Sequence, residues 1–142
     1  DHDTVSEVFQ DQPVHVVCNT NWQKGQSTSV QAGIQALTDD VGGAVFLLVD
    51  QPLIPPDLVQ TLIKTHNRNP APIILPTIDG KPGNPVFFDR QVFTSLTRLE
   101  GDIGGRALFE TYPPRKIPWD DGSCQMDIDT PEDYQRIRFS EE

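Results

Sequence analysis

Residues 44–49, Ala-Val-Phe-Leu-Leu-Val, form an unbroken apolar run that Gly42 and Gly43 precede and Asp50 stops. Six apolar side chains in succession leave no polar side for water, so the run reads as a strand buried on both faces, the central strand of a parallel sheet. It is the longest apolar run in the chain and falls far short of the about 20 residues that a membrane-spanning helix requires. Residues 14–18 (Val-His-Val-Val-Cys), bounded by Pro13 and the polar Asn19-Thr20-Asn21, read as a second buried strand. A helix is expected from about Ser29, with Val30, Ile34 and Leu37 on one face and Ser27 or Ser29 as its cap. After Pro55-Pro56, residues 57–66 put Val59, Leu62, Ile63 and His66 at helical spacing, with proline suited to the first turn. Residues 73–75 and 86–88 are short strands separated by an Asp79-Gly80 turn, and Val92, Phe93, Leu96 and Leu99 mark another helix. The glycine-rich segment 101–105 opens a short helix through Ala107 and Leu108, and residues 117–119 add a strand. Thr130-Pro131-Glu132-Asp133 is a helix start, with an N-cap, proline at the first helical position and acids in the first turn. Strands alternating with helices predict an α/β layer structure with a mostly parallel sheet and right-handed crossovers. With 142 residues and no internal repeat or linker, one domain over residues 1–142 is expected.

Charge narrows the partners. Eleven Lys and Arg stand against 21 Asp and Glu, a formal charge of -10 at pH 7. No stretch holds more than two adjacent basic residues, which excludes the electrostatic footprint of a nucleic-acid binder. An acidic chain can take a phosphorylated small molecule where a divalent cation or backbone N–H groups shield the phosphates. Cys18 and Cys124 have no metal-ligand spacing and read as reduced thiols of a cytosolic protein. Asp1-His2-Asp3 carries neither a basic lead nor an apolar core, so no secretory signal is expected, and the chain is placed in the cytoplasm.

Few residues are available for chemistry. Asp50 follows the most apolar run, and ligands of open α/β sheets bind beyond the carboxyl ends of such strands, so it either holds a metal or caps the turn before Pro52. Asp127 and Asp129 alternate, which sets both on one side of a short strand. Magnesium is commonly held by one or two carboxylates plus substrate phosphates, so Asp50 with one of this pair suffices, unless Asp129 serves only the cap at Thr130. Gly25, Gln26, Ser27, Thr28 and Ser29 open a helix whose first N–H groups suit an anion or a base edge, although ordinary capping explains the same residues. Asn84, after Gly83, can offer a heterocycle both donor and acceptor or satisfy its own turn. Arg106 is either a phosphate clamp or a solvated arginine. His2, His15 and His66 build no site, and no Ser/His/Asp or Cys/His grouping supports a covalent intermediate.

Taken together, five blocks resemble the MobA-like nucleotidyltransferase family, and within it the molybdenum cofactor cytidylyltransferases. They are Asn19-Thr20-Asn21-Trp22 with Gly25-Gln26-Ser27-Thr28-Ser29; Leu48-Val49-Asp50-Gln51-Pro52-Leu53-Ile54-Pro55-Pro56; Gly80-Lys81-Pro82-Gly83-Asn84-Pro85-Val86; Gly101-Asp102-Ile103-Gly104-Gly105-Arg106-Ala107-Leu108; and Asp127-Ile128-Asp129-Thr130-Pro131-Glu132-Asp133. The resemblance implies a three-layer, Rossmann-like sheet of the nucleotide-diphospho-sugar transferase kind. It implies Mg2+-dependent transfer of a nucleotidyl group, CMP from CTP, to the phosphate of a pterin-type (molybdopterin) acceptor, with release of pyrophosphate. Asp50 then matches the metal-binding aspartate, and Asp127 with Asp129 the second acidic site. Gly25, Gln26, Ser27 and Ser29 would lie against the nucleotide, while Gly83, Asn84, Asp102 and Arg106 would face the acceptor. In-line placement and charge neutralisation carry such a reaction, which accords with the missing nucleophile.

The family opens with a strand and a glycine-rich loop bearing an arginine and a lysine, and this sequence contains neither. The chain is therefore expected to be the later part of a transferase domain, weak or inactive alone, with apolar faces and unpaired strand edges prone to self-association. Ile103 stands where relatives carry a basic residue. Two other readings remain open: a non-catalytic module that keeps the acceptor side of the fold, and a guanylyltransferase.

Overall fold

The asparagine-rich and glycine-rich blocks fall in one part of the chain and the acidic blocks in another. The computed structural model describes residues 2–138, without the side chains of His2 and Asp3. Residues 1–41 with 92–110 form one compact unit, and residues 42–91 with 111–142 form a second.

The second unit holds all the described strands: β1 (Gly43–Phe46), β2 (Ile73–Ile78), β3 (Lys81–Pro82), β4 (Val86–Asp89) and β5 (Arg115–Pro118). β2 is the hub. It pairs in parallel with β5 along one edge and antiparallel with β3 and β4 along the other, and β4 carries β1 antiparallel on its far side. β1, β2 and β5 therefore share one direction, and the arm formed by β3 and β4 runs against them. The α/β class and the prevailing strand direction agree with the alternation in the sequence. Asp79 and Gly80 both take positive φ, 51° and 76°, the two-residue hairpin turn that an Asp-Gly pair favours.

The returning arm contains a bulge. Between the pairs Ile74↔Phe87 and Thr77↔Pro82, two residues of β2 face four of the arm, so residues 83–85 break the pairing register as a bulge.

α3 (Pro56–Arg68) starts with proline in its first turn, as expected, and covers one face of the sheet. Leu62 packs with Ala71, Ile74 and Phe87, flanked by Val45 and Ile117, while Leu58 packs with Ile78 and Cys124, flanked by Ile54 and Trp119. On the opposite face Ile73, Leu75 and Phe88 are also buried. His66, in the last turn of α3, lies with its ring 4.5 Å from that of Phe87 and its Nε2 3.1 Å from Asp89 Oδ2, a structural role.

Several expectations are corrected. The apolar run around residue 45 is not a central strand: β1 ends at Phe46, pairs among the described residues only with β4, and leaves Leu47, Leu48 and Val49 exposed. Residues 14–18 form no strand, and Val14 and Val17 are exposed. Residues 126–129 are not a strand either, so no pleat aligns Asp127 with Asp129. The cause is common to all three. β-branched and apolar residues fit a ladder but cannot make one without a partner strand to take their N–H and C=O groups.

The first unit is helical. It contains α1 (His2–Val8), a 3-10 turn at Trp22–Lys24, α2 (Gln26–Gln35), α4 (Phe93–Leu96) packed against α2, and a 3-10 turn at Gly105–Leu108. α2 starts three residues earlier than its apolar face suggests, with Gly25 as its cap in place of Ser27 or Ser29. α5 (Pro131–Arg138), in the second unit, begins as the sequence predicts.

Candidate functional site

In the second unit the turn after β1 is laced to the segment before α5 at two adjacent positions. The Ile128 N–H donates to the Asp50 carbonyl oxygen at 2.8 Å, and the Gln51 Nε2 amide donates to Asp127 Oδ1 at 2.7 Å. Asp50 and Asp127, 77 positions apart in sequence, are thereby neighbours. The bulge in the returning arm supplies the third member: Asn84 Nδ2 donates to Gln51 Oε1 at 3.0 Å. Beside Asn84, Gly83 is buried and donates its N–H to the Pro76 carbonyl at 2.9 Å, pinning the bulge.

Asp50 Oδ1 is buried and has no hydrogen-bond partner. A shielded carboxylate oxygen without a donor is costly and calls for a cation or a donor from a ligand. Among the described residues, no group of three or more His, Cys, Asp or Glu side chains is placed to hold a metal. Asp127 and Asp129 are both exposed, and Asp127 is the one hydrogen-bonded, through Gln51, to the turn that carries Asp50. Two carboxylates do not make a cage for calcium or zinc. They do fit magnesium or manganese, which keep waters and take substrate phosphate oxygens as remaining ligands.

Cys124 lies in the 3-10 turn Gly122–Gln125, which Asp121 caps by accepting from the Ser123 N–H. Burial, and then the Asp121 charge, push the Cys124 thiol above its usual range. The thiol is therefore no nucleophile at neutral pH. Neither Cys18 nor Cys124 is in a disulfide.

In the first unit the two motifs expected at nucleotide and acceptor meet each other. Gly25 has φ 111° and ψ 171°, and a Cβ there would lie 2.4 Å from the carbonyl carbon and oxygen of Gly101. That close approach lets the loop at residues 101–102 cap α2: the Ser27 N–H donates to the Gly101 carbonyl at 3.2 Å, and the Gln26 N–H to Asp102 Oδ1 at 3.3 Å. Two of the N–H groups that the sequence offers to a ligand are thus occupied, and Asp102 sits where a carboxylate complements the helix dipole. Asn19 Nδ2 reaches both Thr28 Oγ1 and Ser29 Oγ, at 2.9 Å each, so the first block is one hydrogen-bonded loop. Ser27 is buried with its Oγ unpartnered. Arg106 is exposed on the 3-10 turn that follows, and Ile103 is exposed beside it.

Sequence reasoning overlooked Gln51 and Asn19 as organisers. Both stand inside the recognised blocks, and the signal for Gln51 was an amide directly after the aspartate proposed for the metal.

Comparison with known proteins bears on the chemistry. Residues 1–116 match the MobA-like NTP transferase domain. The chain is 30% identical over 120 residues to the purine catabolism protein PucB of Bacillus subtilis (strain 168), an overlap covering 82% of this chain and 57% of PucB. Rv0371c of Mycobacterium tuberculosis H37Rv superposes with a TM-score of 0.68 at 28% identity, over 78% of this chain and 58% of that one. Its complex with manganese gives 0.65 at 29%, over 77% and 58%. Molybdopterin-guanine dinucleotide biosynthesis protein A of Archaeoglobus fulgidus gives a TM-score of 0.73 at 16% identity, over 100% and 76%, a likeness of fold alone. The chain thus spans a little over half the length of PucB and of Rv0371c.

Proposed function

The chain belongs to the MobA-like NTP transferase family, and from that premise we propose that it serves divalent-metal-dependent nucleotidyl transfer, CMP from CTP to the phosphate of a molybdopterin-type acceptor. The observation that carries the reading is Asp50: its Oδ1 is buried and unpartnered, while its backbone carbonyl accepts from the Ile128 N–H and the adjacent Gln51 donates to Asp127. The manganese complex of Rv0371c supports a divalent cation in this reading, and magnesium is the ion proposed for this chain.

In the reaction an oxygen of the acceptor phosphate bonds to the α-phosphorus of the triphosphate as the bond to the bridging oxygen breaks, and pyrophosphate leaves with that electron pair. A bound cation would neutralise charge on the phosphates. Asp50 and Asp127 would hold it, and its positive charge would offset the repulsion that a chain of formal charge -10 presents to a triphosphate. Asn84, fixed on Gln51 with Gly83 beside it, is the residue assigned to the acceptor. Gln26, Ser27 and Ser29 line the nucleotide at the start of α2. Asp102 and Arg106 serve the acceptor. Transfer takes place in the cytoplasm.

Mn2+ uptake by the chain in the presence of CTP, followed by the loss of the free-ion electron paramagnetic resonance signal, tests the reading. Asp50→Asn is expected to weaken uptake at least about tenfold; equal uptake by both proteins overturns it. A second reading, a binding module that holds the acceptor without turnover, is favoured by the first N–H groups of α2, which the Gly101 carbonyl and Asp102 carboxylate already occupy. Pyrophosphate release separates the two, because a transferase loses it with Asp50→Asn and a module never shows it.

A further inference from the structure

We infer that Gln51 is a positioning residue for the metal site, orienting the Asp127 carboxylate so that one oxygen is spent on the protein and the other is presented to the cation. The inference rests on the reading of Asp50 and Asp127 as the cation's ligands.

Three features carry it. Gln51 is half-buried, and both ends of its amide are used: Nε2 donates to Asp127 Oδ1 at 2.7 Å, and Oε1 accepts from Asn84 Nδ2 at 3.0 Å. An amide held at both ends cannot flip without losing both bonds, so its orientation is determined. The bond to Asp127 is charge-assisted and short, and it fixes the rotation of a carboxylate that is otherwise exposed on irregular chain. Finally, the neighbouring Ile128 N–H is tied to the Asp50 carbonyl, so backbone and side chain hold the two carboxylates in one register. Asn84 rides on the bulge of the returning arm, which makes Gln51 the link between the acceptor-side asparagine and the metal-side aspartate. A ligand carboxylate without such an outer partner typically loses about 10–100-fold in metal affinity.

The test is a double-mutant cycle on Mn2+ affinity. Gln51→Met keeps the length of the side chain and removes both hydrogen bonds; it is expected to weaken Mn2+ binding about tenfold and to broaden the spectrum of the bound ion as the Asp127 carboxylate loses its fixed rotation. In an Asp127→Asn background the same change is expected to add nothing, because its effect runs through that carboxylate. A Gln51→Met affinity and spectrum equal to wild type, or an undiminished effect in the Asp127→Asn background, overturns the inference. Should Gln51→Met not fold, Gln51→Leu runs the same cycle with the same criteria. Failure of the parent reading looks different, since Mn2+ binding is then insensitive to Asp50→Asn whatever stands at position 51.

Discussion

Two glycines of the same segment show how far a single residue's surroundings decide its worth. Gly25 combines a φ of 111° with a Cβ position 2.4 Å from the Gly101 backbone. An alanine there needs both a strained dihedral and a displaced loop, and the displaced loop is the one that caps α2 through Gly101 and Asp102. Gly25→Ala is expected to cost about 1–3 kcal/mol, read as a lower denaturant midpoint. Gly33 lies inside α2 with nothing within 4 Å of its Cβ position, so Gly33→Ala removes only the flexibility of the unfolded chain. It is expected to raise stability by about 0.5–1 kcal/mol. Opposite signs from one substitution type, ten residues or fewer apart, would locate the cause in the cap. Gly25 was legible in the sequence as the opening of a helix. That its missing Cβ makes room for a loop 76 positions away was not, because close approach of backbone leaves no trace in local composition.

At the scale of elements, the best-read feature is α5. Thr130 and Asp133 cap each other: the Thr130 N–H and hydroxyl donate to Asp133 Oδ2 at 3.1 and 2.7 Å, and the Asp133 N–H donates to Thr130 Oγ1 at 3.2 Å. The Thr130 hydroxyl is the main cause holding the Asp133 carboxyl below its ordinary value of 3.8. A carboxyl depressed in the folded state contributes stability above its unfolded value and loses it as pH falls through the lower, folded one. Amide exchange in α5 is therefore expected to be insensitive to the state of Asp133 above pH 3.8 and to accelerate below it, after correction for intrinsic rates. Thr130→Ala is expected to remove that dependence and to cost about 1 kcal/mol. Arg136, 3.4 Å from Asp133 on an open surface, adds little. Capping is written in four consecutive residues, so the sequence suffices. Strand pairing is not local, and there the reading failed: residues 14–18 and 47–49 have strand composition without a ladder, while the bulge at residues 83–85 emerges only from the register of two pairings. The candidate site divides the same way. Asp50, Asn84 and Asp127 were legible as residue types in recognised blocks, whereas the amide that joins them was not, because its partners lie 33 and 76 positions away.

For the molecule as a whole, charge and exposed apolar surface oppose each other. Leu47, Leu48 and Val49 are exposed beyond a strand whose outer edge has no partner among the described residues, an arrangement that favours association. A formal charge of -10 at pH 7 opposes it by mutual repulsion. That protection vanishes near the isoelectric point of about 4.5, where Asp133 is still ionised and α5 still capped. Turbidity is therefore expected to peak near pH 4.5 with the fold intact by circular dichroism, and light scattering at pH 7 to rise in 1 M NaCl, where the screening length shrinks to about 3 Å. Replacing Leu47 and Val49 with glutamine alters no charge, so it separates the two contributions. The turbidity peak is expected to keep its pH and lose most of its height. A peak of unchanged height would assign the association to some other surface, and a peak displaced from the isoelectric point would mean that lost charge is not what releases it.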